Sequence, residues 1–208
     1  MSVDALRAAL LAGGVGIVPT DTVYGLAAAL DTPAGVAALY AIKGRPRSQP
    51  CQVLMYTSAL LEEAVAPLDE RTISAVRAVL PGPVTCLIPD PPGRYAAAAG
   101  ASVGTVGLRA PGMDPPLLLD IPLVATSAND PGGPDAASID EIPGAIRGAV
   151  AAILDRGVLR HRPSTVVDLR ELGVGGPARL ARMGGDAEAL TRRLTRLGVV
   201  VEPSRTGE

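Results

Sequence analysis

The polar and cationic residues of this chain gather in four short segments, each placed where an apolar run ends or a helix begins. They are the segments 19–26 (PTDTVYGL), 43–46 (KGRP), 127–129 (SAN) and 164–168 (STVVD). Loops at the ends of strands are the usual ligand-binding places of α/β domains. The cations, hydroxyls and amide of these segments suit the binding of phosphates and of a small polar substrate.

Lys43 and Arg45 are two cations on a tight turn held by Gly44 and Pro46. Cations on a tight turn are poorly placed to form an ion pair along a helix surface. Their placement suits a triphosphate well, since lysine acts as a point charge and arginine as a bidentate fork. A solvated basic turn is the alternative interpretation when the segment is considered alone.

Two further groups stand at the ends of predicted strands. Ser127 and Asn129 follow an apolar run, where such residues commonly form turns by bonding the nearby backbone. The alternative is that the hydroxyl and the amide point into a cleft and bind a ligand. Arg109 and Arg182 each end a strand, and a buried arginine needs an anionic partner. For Arg109 that partner is either a carboxylate of the protein or a carboxylate of a substrate.

Several common catalytic arrangements are missing from the sequence. There is no Gly-x-Ser-x-Gly elbow, Walker A loop, metal-ligand cluster or dinucleotide fingerprint. His161, the only histidine, stands in a polar segment between two arginines, so we interpret it as a surface residue and not as a base. Cys51 and Cys86 lie in apolar runs without metal-ligand spacing, which predicts buried, reduced thiols.

The composition narrows the class of protein. The 208 residues carry a net charge of −2 and include neither Phe nor Trp. A free-standing nucleic-acid binder would usually show a basic excess and aromatic stacking residues. The start of the chain lacks a signal-peptide pattern, and no run reaches the ~20 apolar residues that span a bilayer. We therefore expect a cytoplasmic protein that does not contact the membrane.

Helices and strands alternate along the chain with short connections. Helices are predicted over about 3–12, 33–43, 58–65, 69–80 and 186–197, with a short one after Ser138. Strands are predicted over 15–19, 51–56, 84–88, 105–108, 123–126, 151–154, 165–169 and 179–182, and a loop over 89–101. Because several strand pairs lack a crossover helix, we expect a mixed sheet in one α/β domain covering residues 1–208.

Further motifs complete an ordered set: Pro81-Gly82-Pro83-Val84-Thr85, Arg109-Ala110-Pro111 and Arg182-Met183-Gly184. From about residue 13 to 185 the chain resembles the YrdC-like threonylcarbamoyl-adenylate synthase family, with 186–208 left as a C-terminal helix and tail. The resemblance implies a twisted mixed sheet with packed helices and a concave basic cleft. It also implies that L-threonine, bicarbonate and ATP give threonylcarbamoyl-AMP and pyrophosphate, for N6-threonylcarbamoyl modification of the adenosine next to the tRNA anticodon.

The resemblance assigns roles to individual residues. The catalytic polar set would be Lys43, Arg45, Ser127 and Asn129. Threonine would be held by Thr22, Arg109, Ser127 and Ser164. ATP would be held by Arg45, Gln49, Thr105, Asn129 and Arg182. Mg²⁺ would arrive with ATP, without a protein-bound metal or organic cofactor, and the partners would include tRNA or other double-stranded RNA and the threonylcarbamoyl-transfer machinery.

Three positions depart from the family pattern. Leu54 and Met113 stand where many members carry histidine, and Met183 replaces the proline of an Arg-Pro-Gly motif. These changes leave room for a divergent paralogue that uses another amine, or for a domain that makes plain carbamoyl-adenylate. A non-catalytic RNA-binding module is the alternative of a different class. We expect no additional C-terminal domain of the kind found in longer members.

Overall fold

Ten strands and seven helices form in the residues that the computed structural model describes, which are 1–160 and 162–203. The strands are β1 Gly16–Val18, β2 Gly25–Ala29, β3 Gln52–Leu54, β4 Val84–Pro89, β5 Thr105–Arg109, β6 Leu123–Ser127, β7 Ala152–Ile153, β8 Thr165–Asp168, β9 Ala178–Arg182 and β10 Val201–Pro203. The helices are α1 Val3–Leu11, α2 Pro33–Lys43, α3 Ser58–Val65, α4 Glu70–Val79, α5 Ala96–Ala99, α6 Gly144–Ala149 and α7 Ala187–Arg196. The surface prediction for His161 falls outside the described residues.

Local capping residues set the helix boundaries. The Ser2 hydroxyl accepts the Ala5 N–H before α1, and the Asp69 carboxylate accepts the Thr72 N–H before α4. Helix α2 begins at a proline and ends at Gly44, whose φ of 62° lies in the left-handed region that favours glycine. This reversal carries the chain away from the helix axis and delivers Arg45 to the sheet.

All ten strands join one sheet in the order β10-β9-β8-β4-β5-β3-β6-β2-β1-β7. The pairs β1–β7, β3–β5, β4–β8 and β9–β10 are parallel, and the other neighbours are antiparallel. The predicted mixed sheet is therefore confirmed. That its concave face forms a basic cleft stays a prediction.

Apolar side chains pack on both faces of the sheet. Along β2, Leu26 and Ala28 belong to the larger buried cluster, whereas Ala27 and Ala29 belong to a smaller cluster with residues of α1. This alternation is the two-residue period of a strand buried on both sides. Among the described residues, no helix is long and apolar enough to cross a bilayer.

Several elements differ from the sequence prediction, which included neither β2 nor α6. The loop 89–101 contains the short helix α5. The helix expected after Ser138 is a single 3₁₀ turn, because Pro143 disfavours a helical conformation at the preceding residue, and Ile142 is extended with ψ of 130°. Strand β10 was not predicted, since three residues ending in proline carry too little pattern to be recognised.

Candidate functional site

A cavity of about 300 Å³ lies on the sheet and brings together side chains from all four polar segments. Its walls include Thr20, Arg45, Ser127 and Ser164, one from each segment, together with Arg109 and Arg182. A neighbouring cavity of about 420 Å³ shares Arg45 and Ser127 and adds Lys43, Gln49 and Asn129. The four segments therefore lie together in the fold, and their binding of phosphates and a small polar substrate stays a prediction.

The floor of the main cavity is open because the central strands carry small residues there. In the sheet register, Gln52 of β3 pairs with Gly107 of β5 on one side and with Ala125 of β6 on the other. Directly paired residues project from the same face of a sheet. Gln52 is therefore a long polar side chain that stands between two positions without bulk, and it lines the cavity.

Lys43 holds the 127–129 turn from beneath. Its ammonium group donates to the Ser127 carbonyl at 2.9 Å and to both the carbonyl and the side-chain oxygen of Asn129. The Asn129 amide nitrogen in turn donates to the Gly133 carbonyl at 2.6 Å. The Asn129 amide therefore shapes this turn through its oxygen and its nitrogen. Its predicted catalytic and ATP-binding roles stay predictions.

The electrostatic state of Lys43 reflects its burial, since the residue is only 8% exposed. Desolvation lowers the pKa of Lys43 to about 8, and the Arg45 guanidinium acts in the same direction. The carboxylates of Asp135 and Asp130 oppose this shift. The ammonium group is thus poised to lose its proton slightly above neutral pH.

Arg45 extends from the end of α2 across both cavities. Its Nε donates to Gln49 Oε1 at 2.9 Å, and its Nη1 donates to Thr126 Oγ1 at 3.0 Å. These neutral partners orient the guanidinium without neutralising its charge. Arg45 can therefore still bind an anion, which agrees with the sequence prediction for this residue.

Arg109 already has an anionic partner inside the protein. Its Nη2 donates to Asp21 Oδ1 at 2.7 Å, and the two side chains are 3% and 4% exposed. The same nitrogen also donates to the hydroxyls of Thr20 and Thr22, at 3.2 and 2.6 Å. Of the two partners left open by the sequence, the structure thus contains the protein carboxylate. Within the described residues the buried Arg109 Nε has no hydrogen-bond partner.

Arg182 reaches the cavity because of an irregularity in β9. The register pairs Arg182 with Val166 but Leu180 with Val167, so Ala181 is an extra residue. A bulge of this kind re-aims the following side chain. Arg182 then donates through Nε and Nη2 to the Ser164 carbonyl, at 3.1 and 2.9 Å, and through Nη2 to the Ser164 hydroxyl at 2.9 Å. Burial lowers the pKa of Arg182 below its ordinary value.

Gly184, two residues after this arginine, packs closely against the backbone around Ser164. A Cβ atom at this position would lie 2.4 Å from the Pro163 carbonyl oxygen and 2.5 Å from the Thr165 nitrogen. The Gly184 N–H also donates to Thr165 Oγ1 at 3.1 Å. Gly184 therefore lets the end of β9 approach the Ser164 segment closely.

The predicted substrate residues differ in how they meet the main cavity. Ser164 and Ser127 line it, and the Thr22 hydroxyl accepts from Arg109 Nη2 in its wall while also lining an adjoining cavity of about 270 Å³. Thr105 lies at the opposite end of β5 from Arg109 and lines none of these cavities. The threonine contacts of Thr22 and Ser164 and the ATP contact of Thr105 stay predictions.

The three departures from the family pattern fall in different surroundings. Leu54 is fully buried in the smaller apolar cluster, and Met113 packs against that cluster. Met183 is 73% exposed. None of the three lines the main cavity. In this chain they occupy packing positions or the surface.

Sequence reasoning missed four residues around the cavity. Gln52 and Thr85 belong to its floor, and Asp135 is part of its wall. The Tyr24 hydroxyl lies 3.0 Å from Asp155 Oδ1, 2.8 Å from the Gly157 carbonyl oxygen and 2.9 Å from the Arg156 nitrogen, which fixes the turn leading to the Ser164 segment. Burial raises the pKa of Tyr24 to about 12. Strand alternation could have found Gln52, since it is polar between apolar neighbours.

The described residues contain no group of three or more His, Cys, Asp or Glu side chains placed to hold a metal ion. Asp135 is a carboxylate in the cavity wall, and its Oδ1 lies 3.4 Å from the Asn129 amide nitrogen. That Mg²⁺ arrives with ATP stays a prediction.

Comparison with known proteins gives consistent matches. The sequence model of the Sua5_yciO_yrdC family, described as telomere recombination, matches residues 8–184. The chain is 35% identical to the threonylcarbamoyl-AMP synthase of Sodalis glossinidius, over 72% of this chain and 82% of that protein. It is 32% identical to the threonylcarbamoyl-AMP synthase of Bacillus subtilis, over 67% of this chain but only 41% of that protein. The structure of Pyrococcus abyssi Sua5 complexed with L-threonine superposes with a TM-score of 0.81 at 26% identity, covering 96% of this chain and 58% of that one.

Proposed function

The chain belongs to the Sua5_yciO_yrdC family, and from this premise we propose that it is an L-threonylcarbamoyladenylate synthase that serves tRNA N6-threonylcarbamoyladenosine formation. Relatives over most of its length are named as this enzyme, and a similar structure was solved with L-threonine. Within the proposal, the reaction is adenylyl transfer from ATP with release of pyrophosphate. The cytoplasm as location, and contacts with tRNA and the transfer machinery, belong to the same proposal.

The observation that carries this proposal is the charge arrangement of the main cavity. Arg45 bonds Thr126 of β6, whereas Arg182 bonds Ser164 ahead of β8, and both line the main cavity together with Arg109. A nucleotide phosphate and an amino-acid carboxylate on one substrate complex would each meet a guanidinium. No pair of carboxylates is needed, because the reaction requires alignment of reactants and neutralisation of phosphate charge.

The proposed chemistry balances without a strong base. The ammonium form of threonine and bicarbonate give a carbamate, water and one proton. A carbamate oxygen then attacks the α-phosphorus of ATP, the bond to the β-phosphate oxygen breaks, and pyrophosphate leaves with the electron pair. In this scheme Arg45 binds the phosphates, and Lys43 adds charge and holds the turn. Arg182, which the resemblance assigned to ATP, instead aligns the amino acid together with Ser164, to which it is bonded.

A product assay with labelled bicarbonate tests the proposal directly. Wild-type protein supplied with MgATP should incorporate label into an adenylate only when L-threonine is present, with one pyrophosphate released for each product. A site that bonds the threonine hydroxyl should discriminate against 2-aminobutyrate by about 100-fold or more in kcat/KM. Equal use of both amino acids would indicate another amine substrate. Binding of tRNA at low salt without any adenylate product would support the RNA-binding alternative.

The low pKa of Lys43 predicts a pH-dependent affinity for ATP. Below about pH 8 the ammonium form predominates and adds positive charge beside the phosphates. Above this pH, ATP binding requires uptake of a proton, so affinity should fall by up to about tenfold per pH unit. Calorimetric titration of ATP without threonine, between pH 7 and 9.5, measures this effect. The Lys43→Arg variant, which stays charged, should bind ATP without that decline. A wild-type affinity that is flat across this range would contradict the role of Lys43.

A further inference from the structure

Gln52 is a cavity residue to which the proposed mechanism gives no role. It begins β3, is half-buried, and rises from the floor between Gly107 and Ala125. Because the flanking residues are small, a ligand lying on the sheet would meet the Gln52 carboxamide before any other side chain of these central positions.

A chain of hydrogen bonds orients this carboxamide. Thr85 Oγ1 donates to Gln52 Oε1 at 3.2 Å, and Thr85 Oγ1 lies 3.3 Å from Ser164 Oγ. Arg182 donates to that same Ser164 oxygen. The Thr85 hydroxyl has a single proton, which goes to Gln52, so Ser164 must donate to Thr85. The direction of every bond in the chain is thus fixed from Arg182 to Gln52.

This series of hydrogen bonds leaves the Gln52 amide nitrogen as an unused donor. The oxygen of the carboxamide is bound to Thr85, and in the described part of the protein the nitrogen makes no hydrogen bond. Arg45, which bonds Thr126 of β6, and Arg182, which bonds Ser164 ahead of β8, line the same cavity as Gln52. The unpaired Gln52 donor therefore faces a space that both guanidinium groups also border.

We propose that Gln52 is a catalytic residue whose amide N–H donates to the carbamate oxygen that does not attack phosphorus. The inference rests on the proposed function, in which a carbamate joins a phosphate at one end to an amino acid at the other. When the second carbamate oxygen attacks the α-phosphorus and pyrophosphate leaves, the remaining oxygen becomes the carbonyl oxygen of the mixed anhydride. No proton moves in this step, so a neutral donor suits it, and Thr85 acts as a positioning residue for Gln52.

Two substitutions at Gln52 separate this role from a structural one. Gln52→Glu keeps an oxygen for the Thr85 hydroxyl but removes the N–H donor, and Gln52→Met removes both. Each variant should lower the kcat for threonylcarbamoyl-AMP by about 100-fold, which is typical for the loss of one such donor. Thr85→Val, which only frees the carboxamide, should lower kcat by about tenfold.

Binding measurements complete the test. The Kd of L-threonine without bicarbonate, and the Kd of ATP without threonine, should stay within about twofold of wild type in Gln52→Met and Thr85→Val, because neither ligand alone contains the carbamate. Wild-type kcat in Gln52→Met would overturn the proposal, as would a Kd for either ligand in Gln52→Met raised in proportion to the loss of rate. Wild-type protein that forms no adenylate would instead refute the proposed function itself. Thermal unfolding of each variant verifies that it is folded, and Thr85→Val provides the measurement if both Gln52 variants fail to fold.

Discussion

Replacement of Arg45 by alanine is expected to lower kcat for threonylcarbamoyl-AMP formation by about 10²–10³-fold, which corresponds to about 3–4 kcal/mol of transition-state stabilisation. The guanidinium lies at the junction of the two cavities, and its partners within residues 1–160 and 162–203 are neutral oxygen and sulfur atoms. Its charge is therefore available to the phosphates, where negative charge moves as pyrophosphate leaves. Steady-state release of pyrophosphate, measured with saturating threonine and bicarbonate, gives the effect.

Arg47→Ala provides the matched control. Arg47 is a cation two residues away, but it stacks on the Tyr40 ring at 4.9 Å and lines neither the main cavity nor its neighbour. The control should keep kcat within about threefold of wild type. Equal losses in both variants would mean that general positive charge, and not a phosphate contact, is responsible. Lys43→Ala is a less selective test, because it also releases the turn at Ser127 and Asn129.

Replacement of Arg109 by methionine is expected to lower the free energy of unfolding by about 3–5 kcal/mol, because it leaves Asp21 buried without its counter-charge. The pair has side-chain exposures of 3% and 4%, so water cannot replace the lost guanidinium. Urea denaturation followed by circular dichroism measures this change. Loss of threonine binding would accompany it, since Arg109 also holds the Thr20 and Thr22 hydroxyls.

An exposed ion pair supplies the comparison for this experiment. Arg7 bonds Asp120 with side-chain exposures of 41% and 64%, so Arg7→Met should cost less than about 1 kcal/mol. The double variant Asp21→Asn with Arg109→Met should recover part of the stability, because no unpaired charge remains. If Arg109→Met unfolds at the wild-type urea concentration, the buried pair does not stabilise the fold.

Local signals predicted most of the helices and strands. The caps at Ser2 and Asp69 and the glycine after α2 determine boundaries through contacts within a few residues. The segments after β1 and β6 lie at one edge of the sheet because these two strands run in the same direction on either side of β2, with which each pairs antiparallel. The sequence alone did not give this order, since β2 was not predicted as a strand.

Other features depend on contacts that local sequence does not record. The bulge at Ala181 decides which face Arg182 occupies, and nothing in Ala178–Arg182 distinguishes a bulged strand from a regular one. The choice of Asp21 as partner of Arg109 depends on the packing of two distant segments. Strand alternation marks Gln52 as a polar residue among apolar neighbours, but its position on the cavity floor depends on Gly107 and Ala125 across the sheet.

The sheet order also determines when the protein can first function during its synthesis. Ser164 and Arg182 reach the cavity through β8 and β9, which join the remaining strands only where β8 pairs with β4, far earlier in the chain. A nascent chain that has emerged only through β7 therefore has an incomplete cavity and an open edge along β4. Unpaired edges of this kind recruit other chains during slow folding. Ribosome-bound intermediates should thus depend on chaperones until β9 has emerged through Arg182. Substrates can stabilise the fold only after that point.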